Sequence, residues 1–212
     1  TSLAEKILSA EGGAAVQTLS DAGRAVLVRR ALEELQDNVH YYHRHRRSAA
    51  FCQMAAQTID ELKSAGLSGQ QLAQLAGACG AESGKLSELA LIFQGYETLL
   101  ARSGMDPSDR LELAGARLEE ALARHSLPEF LRDRAVFIDE FDTFNAPKKR
   151  LLGAMLAALP SVTVALCDDG APLLPGDLSL FSGAKQVAAQ LRQLARKNGT
   201  EVAVPQLLRK DL

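Results

Sequence analysis

The sequence has no tryptophan, only three cysteines, almost no net charge and no long apolar run. Each shortage excludes something. Cys52, Cys79 and Cys167 are odd in number, and no two have the C-x-x-C spacing of a zinc or redox site. They read as reduced, mostly buried thiols of an intracellular protein. Without about 18 consecutive apolar residues, nothing spans a membrane. Glu5 and Glu11 bracket the one apolar stretch near the start, so no signal peptide is expected there. The formal net charge of −2 excludes a wholly basic, histone-like nucleic-acid binder and leaves room for a local basic patch. Hydrophobic residues at 47% and charged residues at 24% exclude a disordered tail. The 212 residues allow one large domain or two small ones. The chain starts at Thr1, within the helical pattern of Leu3, Ile7 and Leu8. It is therefore expected to be an excised piece of a longer polypeptide.

The first two thirds read as helix. Ser20-Asp21 caps a helix carrying Val26, Leu27, Arg30, Leu32 and Leu35. Phe51, Met54, Ala55, Ile59 and Leu62 form a helical stripe that stops at Ala65-Gly66. Ser68 caps a short helix through Leu72 and Leu75, and Lys85 to Ser103 gives the strongest amphipathic pattern. Pro107 and Asp109 start another helix, with Leu111, Leu113, Leu118 and Leu122. The last third changes character. Ala135 to Ile138 and Val162 to Leu166 read as strands buried on both faces, which implies a parallel sheet. Helices from Pro147 and from Gly183 to Lys197 alternate with them, and Glu201 to Val204 reads as a third strand.

The first strand runs into two carboxylates, Asp139 and Glu140, and the second into Asp168-Asp169-Gly170. Strand tips at the carboxyl edge of a parallel sheet are where α/β domains hold ligands. In nucleotide-hydrolysing folds the first such carboxylate helps hold Mg²⁺, and the second positions the attacking water. Two solvated carboxylates at a strand end give the same pattern. The nearest approach to a phosphate loop, Gly80 to Ser87, fails three tests. Its glycines are one residue too close, Leu86 stands where Ser or Thr should be, and no strand precedes it. This chain therefore does not complete an ATP site by itself.

His40-Tyr41-Tyr42-His43-Arg44-His45-Arg46-Arg47 is the one dense basic and aromatic cluster. Guanidinium groups pair with phosphates and rings stack on bases. The same composition suits a solvated helix end. No acidic or Cys partner lies close enough in sequence to favour a metal. Lys148, Lys149 and Arg150 put positive charge in the first turn of a helix, against its dipole, and suit either a polyanion or solvent.

Val136 to Asn145 resembles the Asp-Glu-Phe-Gln-Asp-Thr-Asn element of superfamily 1 helicases, and Val162 to Gly170 resembles the strand that follows it. Leu19 to Glu34, Phe51 to Leu67, the helix from Lys85 through Tyr96-Glu97, and Leu180-Phe181 with the helix after it are similar to AddB, one of the two chains of the bacterial helicase–nuclease AddAB, also called RexAB. The resemblance spans nearly the whole chain, and the order of the motifs carries it.

It implies an α/β, predominantly helical fragment: a helical insertion of the 1B type joined to part of a RecA-like parallel-sheet domain. Residues 1–19 would supply an N-terminal helix of the RecA-like part, 20–127 the insertion, and 128–212 the α/β portion with its acidic edge. It also implies a parent that acts in double-strand break repair and recombination as an ATP-dependent helicase and exonuclease in the bacterial cytoplasm. The fragment itself would catalyse nothing. Its partners would be DNA ends or single strands and an AddA-like subunit, with no membrane. DNA contact would fall to Tyr42, His43, Arg44, Arg46, Arg47, Lys148 and Lys149. Asp139 and Glu140 would meet Mg-nucleotide only in the parent, whose ATP, Mg²⁺ and iron–sulfur cluster depend on other regions. No metal site is expected here. The nucleotide-sensing Gln of active helicases is missing, since Gly170-Ala171-Pro172 follows Asp168-Asp169. Two alternatives stay open: part of a working superfamily 1 motor, carried by the Asp139-Glu140 pair, or a helical interaction module with an unrelated α/β cap.

Overall fold

Serine, asparagine and proline fix where most of the helices begin. The computed structural model describes residues 3–11, 18–35, 37–80, 83–139 and 143–206. Along the chain these form α1 (Leu3–Ala10), α2 (Asp21–Glu34), α3 (Ala49–Ser64), α4 (Gly69–Ala76), α5 (Ser83–Ser103), α6 (Pro107–Ala123), β1 (Ala135–Ile138), α7 (Ala146–Ala158), β2 (Ser161–Val164) and α8 (Ser182–Lys197). The Ser20, Ser48 and Ser68 hydroxyls each accept an amide of the first turn, which replaces an otherwise missing helix bond. Ser68 and Gln71 complete a reciprocal capping box. Asn145 caps α7 just ahead of Pro147.

The chain divides into two compact units, one of Gly12–Leu111 and one of Thr1–Glu11 with Glu112–Leu212. The first is a helical bundle. Its core joins Leu27, Val28, Ala31 and Leu32 of α2, Cys52, Ala55, Ala56 and Ile59 of α3, and Ile92, Phe93 and Tyr96 of α5. Gly69 lets α4 approach α5 closely: a Cβ there would stand 2.7 Å from Gln94 Cγ and 2.9 Å from the Gln94 amide. The α5–α6 turn is held by a buried polar cluster. The Tyr96 hydroxyl donates to Asp106 at 2.6 Å, and Lys63 Nζ lies 2.9 Å from Asp106 and 2.6 Å from Asp109. Beside it Met105 accepts the Leu19 amide at 3.0 Å, so the segments entering and leaving the bundle lie side by side.

The second unit holds the sheet. β1 and β2 pair in parallel with Ala135 opposite Ser161 and Ile138 opposite Val164. Ile138, Val162, Val164 and Leu166 pack with Phe144, Leu152 and Leu156 and with Val187, Leu191 and Leu194 of α8. Arg150 ties α7 to α6 through Glu112 and Glu119, the latter at 2.7 Å.

Most helices lie where the sequence places them, and the mostly helical α/β class holds. Several details differ. The strands are not buried on both faces: burial alternates along each, and Phe137 is 77% exposed. Helices cover one face, and no described strand extends the sheet beyond two. Residues 201–206 form no strand, because no described edge pairs with them, and Val204 is exposed. Of the thiols only Cys52 is buried. Met54 faces solvent, since the buried stripe of α3 runs through Cys52, Ala55, Ala56 and Ile59.

Candidate nucleic-acid interface and acidic strand edge

The basic cluster follows α2 as an irregular loop containing a single 3-10 turn, His43–His45. Successive amides in such a loop lack helix partners and need an acceptor. Glu88 of α5 supplies it. Its buried carboxylate accepts from the amides of His40 at 2.7 Å, Tyr41 at 2.8 Å and Tyr42 at 3.3 Å. Val39, 1% exposed, anchors the start of the loop in the core. Tyr42 stacks on Phe51 with ring centroids 5.5 Å apart, and the His45 ring lies 5.4 Å from Phe51. Arg46 turns back and donates to the His43 carbonyl at 3.0 Å.

The sequence-predicted contact residues therefore differ in their surroundings. Arg44 and Arg47 are exposed, whereas Tyr42, His43 and Arg46 are half-buried. His40, Tyr41 and His45 are exposed as well. Asp37, Val39, His40, His43 and Arg44 line an open hollow of about 400 Å³. Among the described residues no group of three or more His, Cys, Asp or Glu side chains could hold a metal ion.

Lys148 and Lys149 belong to the other unit. Both are half-buried in the first turn of α7, where the Lys148 amide donates to Asn145. Their neighbour Arg150 is committed to Glu112 and Glu119, and those carboxylates raise its pKa.

The parallel register carries both strands toward one edge. Asp139 follows Ile138 and is exposed, and Ala165 beyond β2 donates to the Ile138 carbonyl at 2.9 Å. Glu140 lies outside the described residues. Asp169 is engaged elsewhere: Lys185, buried at 5% exposure, pairs with it at 2.9 Å and with Asp177 at 3.6 Å. The bond from Lys185 holds the Asp169 carboxyl below its usual range, and the Ser179 amide does the same first for Asp177. Lys185 is raised in turn by Asp169. The described residues offer Asp139 and Asp168 at this edge and no glycine-rich cradle after a strand. Of the stretch from Gly80 to Ser87, residues 83–87 open α5 of the helical unit. These residues do not fit a nucleotide on their own.

Sequence reasoning missed Glu88 and Lys185. A signal for Glu88 was present, as a lone carboxylate between the apolar positions Leu86, Leu89 and Ile92. Nothing local distinguished Lys185.

Together these features define a mostly helical α/β chain that presents a basic loop on its bundle and acidic residues at the carboxyl edge of a small parallel sheet. A family model described as "ADDB, N-terminal" matches residues 1–211, and the chain belongs to that family. The resemblance read in the sequence is thereby borne out. Three similar proteins are each named as the B-type subunit of an "ATP-dependent helicase/deoxyribonuclease". The one from Desulforudis audaxviator is 32% identical over 209 residues, covering 96% of this chain and 17% of that protein. The one from Moorella thermoacetica is 31% identical over 208 residues, covering 93% and 17%. The one from Symbiobacterium thermophilum is 29% identical over 227 residues, covering 99% and 18%. The chain thus spans under a fifth of the length of these relatives. No helix among the described residues is long and apolar enough to cross a membrane.

Proposed function

We propose that this chain serves as the helicase-like N-terminal region of an AddB-type helicase/deoxyribonuclease protein, in DNA double-strand break repair and recombination in the bacterial cytoplasm. The observation that carries the reading is the family match over residues 1–211. The basic loop on the helical unit and the parallel β1–β2 pair support it. In this reading residues 20–127, which take in most of the bundle, are the 1B-type insertion, and the basic loop contacts single-stranded DNA or DNA ends. Residues 1–19 and 128–212 are part of a RecA-like domain. The exposed face of the two-stranded sheet supports that assignment, because parallel sheets are ordinarily covered on both faces.

The chain acts by binding DNA and an AddA-like partner, and the longer protein supplies ATP hydrolysis with Mg²⁺, nuclease chemistry and an iron–sulfur cluster from other regions. Asp139 and Glu140 meet Mg-nucleotide only there. The test is a salt titration of single-stranded oligonucleotide affinity. Replacement of Arg44, Arg46 and Arg47 by Ala is expected to remove most of the salt-sensitive affinity. Unchanged affinity would move the contact to Lys148 and Lys149. Failure of the longer protein to co-purify with an AddA-like partner would count against the whole reading.

A further inference from the structure

We infer that the hollow beside the basic loop seats one phosphodiester of single-stranded DNA, with Arg44, His40 and His43 as its contacts, and that Glu88 is the positioning residue that holds those contacts in place. This rests on the DNA-binding reading of the loop and narrows it to one point.

Three observations carry the inference. The first is the lining of the hollow: Arg44, His40 and His43, with Val39 buried behind them and Asp37 as the acidic member. A volume of about 400 Å³ exceeds what a phosphate needs and leaves room for an attached sugar. The second is the orientation of the other sequence candidates. Tyr42 is stacked on Phe51, and Arg46 bonds to its own loop, so neither ring nor guanidinium faces outward as Arg44 does. The third is Glu88. One buried carboxylate gathers three successive amides from 46 to 48 residues away in sequence, immediately before the His43–His45 turn that carries Arg44.

Concave arrays of successive backbone amides ordinarily attract anions. Here the anion is internal, and it fixes the loop. The loop's affinity for phosphate then comes from side chains alone, and their spacing depends on a residue that never touches the DNA. Asp37 opposes the ligand and lowers the affinity.

The experiment is a double-mutant cycle on the full chain, read as affinity for a fluorescent single-stranded oligonucleotide across a salt series, with far-UV circular dichroism for folding. Arg44→Ala is expected to weaken binding about fivefold. The slope of log affinity against log salt falls by about 0.7, one single-strand phosphate contact. His40→Ala and His43→Ala weaken binding in the same direction, and Asp37→Asn strengthens it. Glu88→Gln weakens binding, and Arg44→Ala then adds little in its background.

Full multiplication of the Glu88→Gln and Arg44→Ala effects, or a neutral Glu88→Gln, would overturn the inference while leaving the DNA-binding reading in place. If Glu88→Gln does not fold, the exposed-site variants decide. Arg44→Ala weakening binding while His40→Ala, His43→Ala and Asp37→Asn change nothing overturns the hollow as the seat. Neutral Arg44→Ala and Arg47→Ala would instead remove the loop's DNA role itself.

Discussion

Asp106 offers the sharpest test of how the helical unit is held together. Its side chain is 1% exposed and accepts from Tyr96 and Lys63, both largely buried. Asp106→Asn keeps the shape and removes the charge. One half of the new amide can face the Tyr96 hydroxyl, but its NH₂ cannot accept from the Lys63 ammonium. Leaving a buried charge without its partner costs about 3–5 kcal/mol. Lys63 retains Asp109 at 2.6 Å, and that carboxylate is about a third exposed, so the loss is smaller, about 2 kcal/mol.

Urea unfolding followed by circular dichroism, with hydrogen exchange of peptides from α3 and α5, measures it within the bundle. A cycle with Tyr96→Phe should show coupling. Burial first, and then the bond to Asp106, raise the Tyr96 pKa, so the folded phenol keeps its proton where the unfolded one loses it. The folded state therefore loses stability as pH rises past about 10, and Tyr96→Phe removes that loss. A cost for Asp106→Asn below about 0.5 kcal/mol, with no coupling to Tyr96, would refute the claim that this cluster secures the α5–α6 turn.

Other expectations follow from single contacts. Gly69→Ala places a methyl against the Gln94 amide and should destabilise the bundle by about 1–3 kcal/mol in chemical denaturation, despite the better helix propensity of Ala. Ser68→Ala breaks the capping box and should cost about 1 kcal/mol in the same assay. The lowered carboxyl pKa values of Asp169 and Asp177 stabilise the folded loop above about pH 4, and that contribution disappears as pH falls through their folded values. Acid should then lower the hydrogen-exchange protection of residues 165–181, measured against the intrinsic rate at each pH, and Lys185→Met should give the same loss of protection at neutral pH.

Helix starts were legible because Ser20, Ser68, Pro107 and Pro147 act within a few residues of themselves. The β1–α7–β2 alternation was legible too and the pair is parallel, although the burial on both faces from which that was read does not hold. What the sequence could not reveal depends on distant partners. Phe137 and Val204 have strand-like character, but burial on a second face and pairing at an edge belong to neighbours the local pattern does not encode. In the site, counting basic residues located the loop and gave Tyr42 and Arg46 the same standing as Arg44. Only the positions of Phe51 and of the His43 carbonyl separate them. Glu88 stands out in the sequence as a carboxylate on an apolar stripe, but its partners, the amides of residues 40–42, come from too far along the chain to be read there.

The pairing of Leu19 with Met105 has an evolutionary consequence. Because Leu19 and Met105 pair within one compact unit, the bundle holds its own two ends together, the arrangement under which domain exchange is ordinarily tolerated. Its helices can then drift under selection for their own surface while the sheet drifts under another. A bundle excised as the whole unit of residues 12–111, which keeps Asp106 and Asp109 with Tyr96 and Lys63, should fold alone.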